Sequence, residues 1–224
     1  MKLISSPAIL LGLLCATGAA HAQIDISATA GTTGAGVHAS IPLTSSLNAR
    51  FGAGYLADSS SRAIGNLDYG IKRQSRTLEA LLDWYPSGQS DFRLSGGVFY
   101  NDRRISARVR PDGSGNYTVQ GNTYREADTG AVKGELDYRK IAPYLGVGWG
   151  SRPNQGKGWN FTADVGVLVQ GAPNTSLTST GCTSPTAPCG QLATDLQKEK
   201  SALAREVGKY KAYPVLRVGL NYRF

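Results

Sequence analysis

Leu216-Arg217-Val218-Gly219-Leu220-Asn221-Tyr222-Arg223-Phe224 closes the chain and decides how the rest is read. Leu216, Val218, Leu220, Tyr222 and Phe224 are apolar, and Arg217, Gly219, Asn221 and Arg223 between them are polar or small. Strict period two is the mark of a β-strand with one dry face and one wet face. The same period runs back through the chain. Trp159, Phe161, Ala163, Val165, Val167 and Val169 alternate with Asn160, Thr162, Asp164, Gly166, Leu168 and Gln170. Ile141, Pro143, Leu145, Val147 and Trp149 oppose Lys140, Ala142, Tyr144, Gly146 and Gly148. Phe92, Leu94, Val98 and Tyr100 oppose Arg93, Ser95, Gly97, Asn101 and Arg103. Leu78, Ala80, Leu82 and Trp84 oppose Thr77, Glu79 and Asp83, with Leu81 out of step. Weaker strands cover Ala35–Ile41 and Ala49–Tyr55.

Composition agrees with a chain that is half apolar surface. Only 18% of the 224 residues are charged and 28 are Gly, against roughly 25% and 7% in an ordinary soluble domain. Past the N-terminus, no run approaches the ~18 apolar residues of a membrane-spanning helix. The start reads as an export signal. Met1-Lys2 is basic, an apolar stretch extends from Ala8 to Ala20, and Ala20-His21-Ala22 is an A-x-A cleavage site. We expect a signal peptide over 1–22 and a single barrel domain over 23–224. Leu14 stands where a lipoprotein signal needs a small residue, so Cys15 reads as part of the signal's apolar core. Losing Lys2 lowers the basic count from 24 to 23 against 16 acidic residues, a net of +7. Export means an oxidising compartment. Cys182 and Cys189, in the loop TGCTSPTAPCG, are then expected to form a local disulfide. His38 is the one imidazole left after cleavage, which makes a zinc reading weak.

The connections alternate in length. Those around Thr44–Leu47, Pro86–Asp91 and Arg152–Gly158 are short; Asp58–Leu67, Ser106–Asp137 and Ala172–Ala212 are long. Short turns at one end and long polar loops at the other fit an antiparallel transmembrane β-barrel. A soluble lipocalin-like barrel or a sandwich would alternate too, with its apolar face inside. Two features favour the membrane. Trp84, Trp149 and Trp159 all sit beside the short turns, as in an aromatic girdle. The face carrying Glu79, Asp83, Arg93, Asp164 and Arg217 would make a poor soluble core but suits a polar lumen.

The C-terminal pattern resembles the signal by which outer-membrane barrels are recognised by their assembly machinery, with Arg217, Gly219, Tyr222 and terminal Phe224 at its defined positions. LLDWYPSGQSDFRLSGGVFYN, APYLGVGWG, WNFTADVGVLVQG and YPVLRVGLNYRF are similar to phrases of a family of small proteobacterial outer-membrane barrels, related to the barrel domain of outer-membrane protein A. The resemblance implies about eight strands and a Gram-negative outer-membrane location, with no defined activity. Seven strands are evident. An even count requires an eighth, over Ile24–Ala30 or, as the less favoured choice, Thr175–Thr180. Within Gln191–Tyr210, Leu192, Leu196, Leu203 and Val207 mark one face of an amphipathic helix before the last strand. Lys198, Glu199, Lys200, Arg205, Glu206 and Lys209 lie on its other face. A helix resting on the barrel rim competes here with a partner- or lipid-binding helix.

Three functions follow from these residues. The first is a structural or surface role with a lumen filled by side chains, since eight strands leave room for little else. The predicted lumen charges are Arg50, Glu79, Asp83, Arg93, Arg103, Lys140, Asp164, Arg217 and Arg223, with Asp83 and Arg93 opposite each other. Six bases against three acids would give a narrow channel, if one exists, an anion preference. The second is a lipid A-modifying enzyme, for which His38 and Ser40 alone offer a base and a nucleophile on one face. The expectation is no enzyme and no cofactor. The third is contact with ligands or host surfaces through the loop holding Tyr117 and Tyr124. Lipopolysaccharide phosphates would suit Arg103, Arg104, Arg108 and Arg110. The expected partners are outer-membrane lipid, lipopolysaccharide and the assembly machinery, with the protein a monomer. An exported chain makes nucleic acid a poor partner.

Overall fold

The computed structural model describes residues 24–64, 67–87, 90–153, 156–182 and 187–224, and the expected signal peptide at 1–22 lies outside them. Eight strands close into a ring. They are β1 (Asp25–Gly31), β2 (Gly34–Thr44), β3 (Leu47–Ile64), β4 (Leu67–Trp84), β5 (Phe92–Arg110), β9 (Ile141–Trp149), β10 (Gly158–Val169) and β12 (Ala212–Arg223). Each pairs antiparallel with the next, and β12 returns to β1 with Asp25 opposite Arg223 and Gly31 opposite Arg217. The N-terminal segment thus supplies the eighth strand. The outer surface is apolar, with Phe51, Leu78, Leu82, Leu145, Phe161, Val165, Val218 and Leu220 all exposed. Water would not tolerate so wide an apolar band, but lipid does. Trp84, Trp149 and Trp159 stand outward at the short-turn end. Trp159 meets Tyr222 edge-on at 5.1 Å, and Tyr222 meets Phe224 at 4.9 Å. Tyr55 and Tyr100 project outward nearer the other end.

The long-loop end differs from expectation. Asp58–Leu67 is not a loop: β3 and β4 stay paired from Leu47↔Trp84 to Ile64↔Leu67. Likewise β5 runs on to Arg110. Once strands rise past the apolar band, the outward face no longer needs to be apolar, so alternation fades while the backbone ladder continues. β8 (Ala131–Asp137) pairs with the upper part of β5, and β9 with its lower part. β11 (Asn174–Thr180) pairs in turn with β8. Thr175–Thr180 is therefore a strand, but one outside the ring. Together β3, β4, β5, β8 and β11 raise a wall on one side of the barrel. On the opposite side the rim is low, because β1 turns into β2 through Thr32-Thr33 alone. Gly34 closes that turn at φ 95°, a conformation that favours glycine. The turn is tied to β12: Thr32 Oγ1 donates to the Pro214 carbonyl (3.0 Å), and Tyr213 Oη donates to the Thr32 carbonyl (2.6 Å).

A cap covers the inner side of the wall. It comprises the hairpin β6 (Asn116–Val119) and β7 (Asn122–Arg125), the short α1 (Glu126–Thr129) and the helix α2 (Ala187–Val207). α2 begins earlier and ends earlier than the pattern predicted. Leu192 and Leu196 are buried with Val109, Tyr117, Val119, Tyr124 and Val132, while Leu203 and Val207 are half-buried. The helix therefore rests on the protein's own rim structure. The Cys182–Cys189 disulfide is present, with Cα atoms 5.9 Å apart, at the start of α2.

Candidate functional site: the filled lumen and the basic wall

Inward positions of the ring carry two polar clusters. In the first, β3, β4, β5 and β10 bring Arg50, Asp83, Arg93 and Asp164 together. Arg50 donates to Asp164 Oδ2 at 2.9 Å and to Asp83 Oδ1 at 3.0 Å. Arg93 donates to Asp164 Oδ1 at 2.7 Å and to Thr162 Oγ1 at 2.9 Å. Directly across from Asp83 in the ladder stands Ser95, not Arg93, and its hydroxyl donates to Asp83 at 2.6 Å. Arg93 reaches Asp83 only diagonally, at 3.8 Å. In the second cluster, Arg217 donates to both oxygens of Glu79 (2.9 and 2.7 Å) and lies 3.8 Å from Asp164. His38 Nε2 sits 2.9 Å from Glu79 Oε1 and 3.1 Å from Arg217. All these side chains are buried. In so dry a space an unpaired charge is costly, so the pairing is what lets the charges stay.

Near the short-turn end, Arg223 forms two 2.6 Å bonds to Asp25 and also reaches the backbone carbonyls of Arg152 and Pro153. Toward the other end the lumen becomes apolar. Leu81, Phe99, Ala142, Tyr144, Leu168 and Val215 form one buried cluster. The Tyr144 ring needs two glycines beside it, because a Cβ on Gly146 or Gly166 would collide with it. A Cβ on Gly148 would come 2.7 Å from Asp164 Oδ1. Two recesses open among these described side chains: one of about 20 Å³ beside Asp25, Arg50, Asp83 and Arg93, and one of about 10 Å³ beside Asn101, Arg103 and Tyr213. Each has room for about one water.

Of the two remaining residues of the predicted lumen set, one lies outside the lumen and one lines its upper part. Lys140 is exposed in the break between β8 and β9, where the ladder parity ends. Arg103 faces inward above the apolar cluster, half-buried, with its guanidinium 4.0 Å over the Tyr213 ring. Asp25 was not foreseen. Among the described residues, the fully buried charges of the lumen are thus Arg50, Arg93, Arg217 and Arg223 against Asp25, Glu79, Asp83 and Asp164. Four balance four among these, and the half-buried Arg103 is a further inward cation. Phe99, Leu168 and Val215 were also unforeseen. Their signal was available as apolar residues at inward parity, the same irregularity that Leu81 showed.

His38 and Ser40 share a face, but the His38 ring is engaged by Glu79, Arg217 and, at 3.5 Å, Thr29 Oγ1. Of the four arginines singled out for lipopolysaccharide, Arg103 faces inward, and Arg104, Arg108 and Arg110 project from the wall's outer face and are exposed. Arg104 pairs with Asp137 at 3.2 Å, and Arg108 with Glu126 at 3.0 Å. Tyr117 and Tyr124 are not displayed to partners. They are buried in the cap, where Tyr124 Oη donates to Asp195 at 2.7 Å.

A closed antiparallel ring with an apolar exterior and a polar interior is the architecture of an integral outer-membrane β-barrel. Comparison with solved structures finds the same fold. Crystal structures of Acinetobacter baumannii CarO2 and CarO share the fold with TM-scores of 0.61 and 0.60, each at 23% identity. They cover 91% and 89% of this chain and 99% and 97% of their own. A major outer membrane protein from Thermus thermophilus aligns more loosely, with a TM-score of 0.44 and 16% identity over 91% of this chain and 99% of that one. No protein-family model and no curated protein sequence matches the chain.

Proposed function

We propose that the chain is a monomeric protein of the Gram-negative outer membrane whose barrel is closed to diffusion, with a structural or surface role. One observation carries this reading. Paired charges and an apolar cluster fill the lumen among the described residues, and the recesses beside them measure about 20 and 10 Å³. The reading is of a non-enzyme, with His38 buried in the lumen among Glu79, Arg217 and Thr29. Export would remove residues 1–22. Arg217, Gly219, Tyr222 and Phe224 would present the assembly signal, and Phe224 is exposed as recognition requires. The relation to barrels of the outer-membrane protein A type belongs to this proposal, supported by that signature and by eight strands. Its outer partners would be lipid and lipopolysaccharide.

Planar-bilayer recording of the folded protein tests the closed lumen. We expect no regular unitary conductance, and reproducible channel events would overturn the reading. A channel formed by exchange of these ion pairs would discriminate weakly between anions and cations, because the fully buried charges balance.

A further inference from the structure

We propose that the wall's outer face holds a binding groove for the phosphorylated core sugars of lipopolysaccharide in the surrounding leaflet. This rests on the outer-membrane reading above. The groove has a volume of about 540 Å³ and lies where β3, β4 and β5 extend beyond the apolar band. That is ample for one or two sugar rings, since small-ligand sites span roughly 300–1,000 Å³. Ser59, Ser61, Gly70, Lys72, Arg108 and Arg110 line it. Ladder register sets Ser59 opposite Lys72, and Ser61, Gly70 and Arg108 in one row. Gly70 has no side chain, which keeps the floor of that row open, and the Arg110 guanidinium lies beside it.

Parity fixes the direction in which these groups point. Lys72 is six residues from Leu78 on β4, so both project from the same outward face. Leu78 meets lipid, and Lys72 therefore points sideways toward whatever stands above that lipid. Six residues span about 20 Å along a strand, or roughly 15 Å of height at the usual tilt. Arg110, opposite residue 68 in the ladder, stands higher still. The groove is then above the acyl boundary, at the level of the phosphate- and carboxylate-bearing core sugars rather than the acyl chains.

The chemistry fits that level. Cations recognise phosphate, and Ser hydroxyls serve the sugar oxygens. Arg104 and Arg108 are matched by Asp137 and Glu126. Lys72 and Arg110 add two further cations on this face, with Asp68 opposite Arg110 in the ladder.

Binding of folded protein in detergent to rough lipopolysaccharide with a phosphorylated core tests the assignment. The same glycolipid with its core phosphates removed, core-free lipid A, and inorganic phosphate serve as the other arms. Lys72→Gln/Arg110→Gln is compared with wild type after heat-modifiable migration has shown both to be folded. Each basic side chain near an anionic surface contributes about fivefold, so the double variant should bind the phosphorylated core on the order of tenfold to thirtyfold more weakly. Lipid A binding should be unchanged, and removal of the core phosphates should abolish the difference between the two proteins. Equal affinity of variant and wild type would overturn the groove, as would a loss confined to lipid A or full competition by inorganic phosphate at equal concentration. If wild type bound no glycolipid in any arm, the outer-membrane partner assignment itself would fall, a result distinct from failure of the groove.

Discussion

In the ring, Arg50, Arg93, Arg217, Asp83 and Asp164 lie buried against one another. A few strand residues further out, Val109, Tyr117, Val119, Tyr124, Val132, Leu192 and Leu196 lie buried with hardly a charge among them. One chain has built a polar interior and an apolar interior side by side. The difference follows from what lies outside each. Around the ring the solvent is lipid, so the apolar residues gain nothing by turning inward, and the polar residues collect in the lumen. Around the cap the solvent is water, and the ordinary hydrophobic rule returns. Each interior therefore fails differently. The lumen depends on matched charges, whereas the cap depends on filled volume.

The largest expected effect comes from unmatching the lumen. Asp164 is shared by Arg50 and Arg93, with Arg217 near at hand. Asp164→Ala leaves buried guanidinium groups without their counter-charge, at a cost of roughly 3–5 kcal/mol. Heat-modifiable migration and urea unfolding in detergent should show a barrel that is markedly less stable or fails to fold. Migration equal to wild type would mean that the lumen is wetter than its geometry states. In the cap the matching experiment is Leu196→Ala, which removes volume from an apolar cluster and costs roughly 2–5 kcal/mol locally. Here the barrel should still resist heating as wild type does, while protease cuts the cap. If both substitutions weakened cap and barrel together, the two interiors would be one cooperative unit. Opening the disulfide should have a smaller effect of the same kind. Cys182 and Cys189 close a short loop, for which chain entropy gives about 2–3 kcal/mol. Reductant should speed cleavage near the start of α2 and leave barrel migration unchanged.

Legibility in the sequence divides along the same line. The ring was readable because lipid forces strict alternation, so β5, β9, β10 and β12 announced themselves by their outward residues. The buried charges Glu79, Asp83, Arg93, Asp164 and Arg217 were readable from the same parity. Contacts across the lumen were not, since which arginine meets which carboxylate depends on strand stagger around a closed ring. That is why Arg93 was set opposite Asp83 when Ser95 occupies the place. Lys140 was misplaced because parity was carried through a break in the ladder at residues 138–140. The wall was read as loops because water on its outer face removes the need for alternation. Of the cap, only α2 was visible, because a helix resting on an apolar core must show a stripe. The burial of Tyr117 and Tyr124 had no such stripe to reveal it.

The smallest effect is the most local, and it tests whether the cap's buried acid Asp195 is held as the lumen's acids are. Asp195 accepts hydrogen bonds from Asn122 (2.6 Å) and from Tyr124 (2.7 Å). These bonds, that from Asn122 first, hold its carboxyl below the usual carboxylate range. Burial, and then the Asp195 carboxylate, push the Tyr124 phenol up from 10 to about 12. A lowered carboxyl contributes stability above the ordinary carboxylate value and loses it as pH falls through its own lower one. A raised phenol contributes below 10 and loses it as pH rises from 10 toward 12. The cap should therefore become protease-sensitive at both extremes and be most resistant between about pH 4 and 10. The difference in 295 nm absorbance between wild type and Tyr124→Phe should titrate as one phenol with a midpoint near 12. In an Asp195→Asn background that midpoint should move toward 10 without reaching it, since burial is the larger cause and remains. A midpoint already at 10 in wild type would show that the cap interior is open to water and would erase the contrast with the lumen.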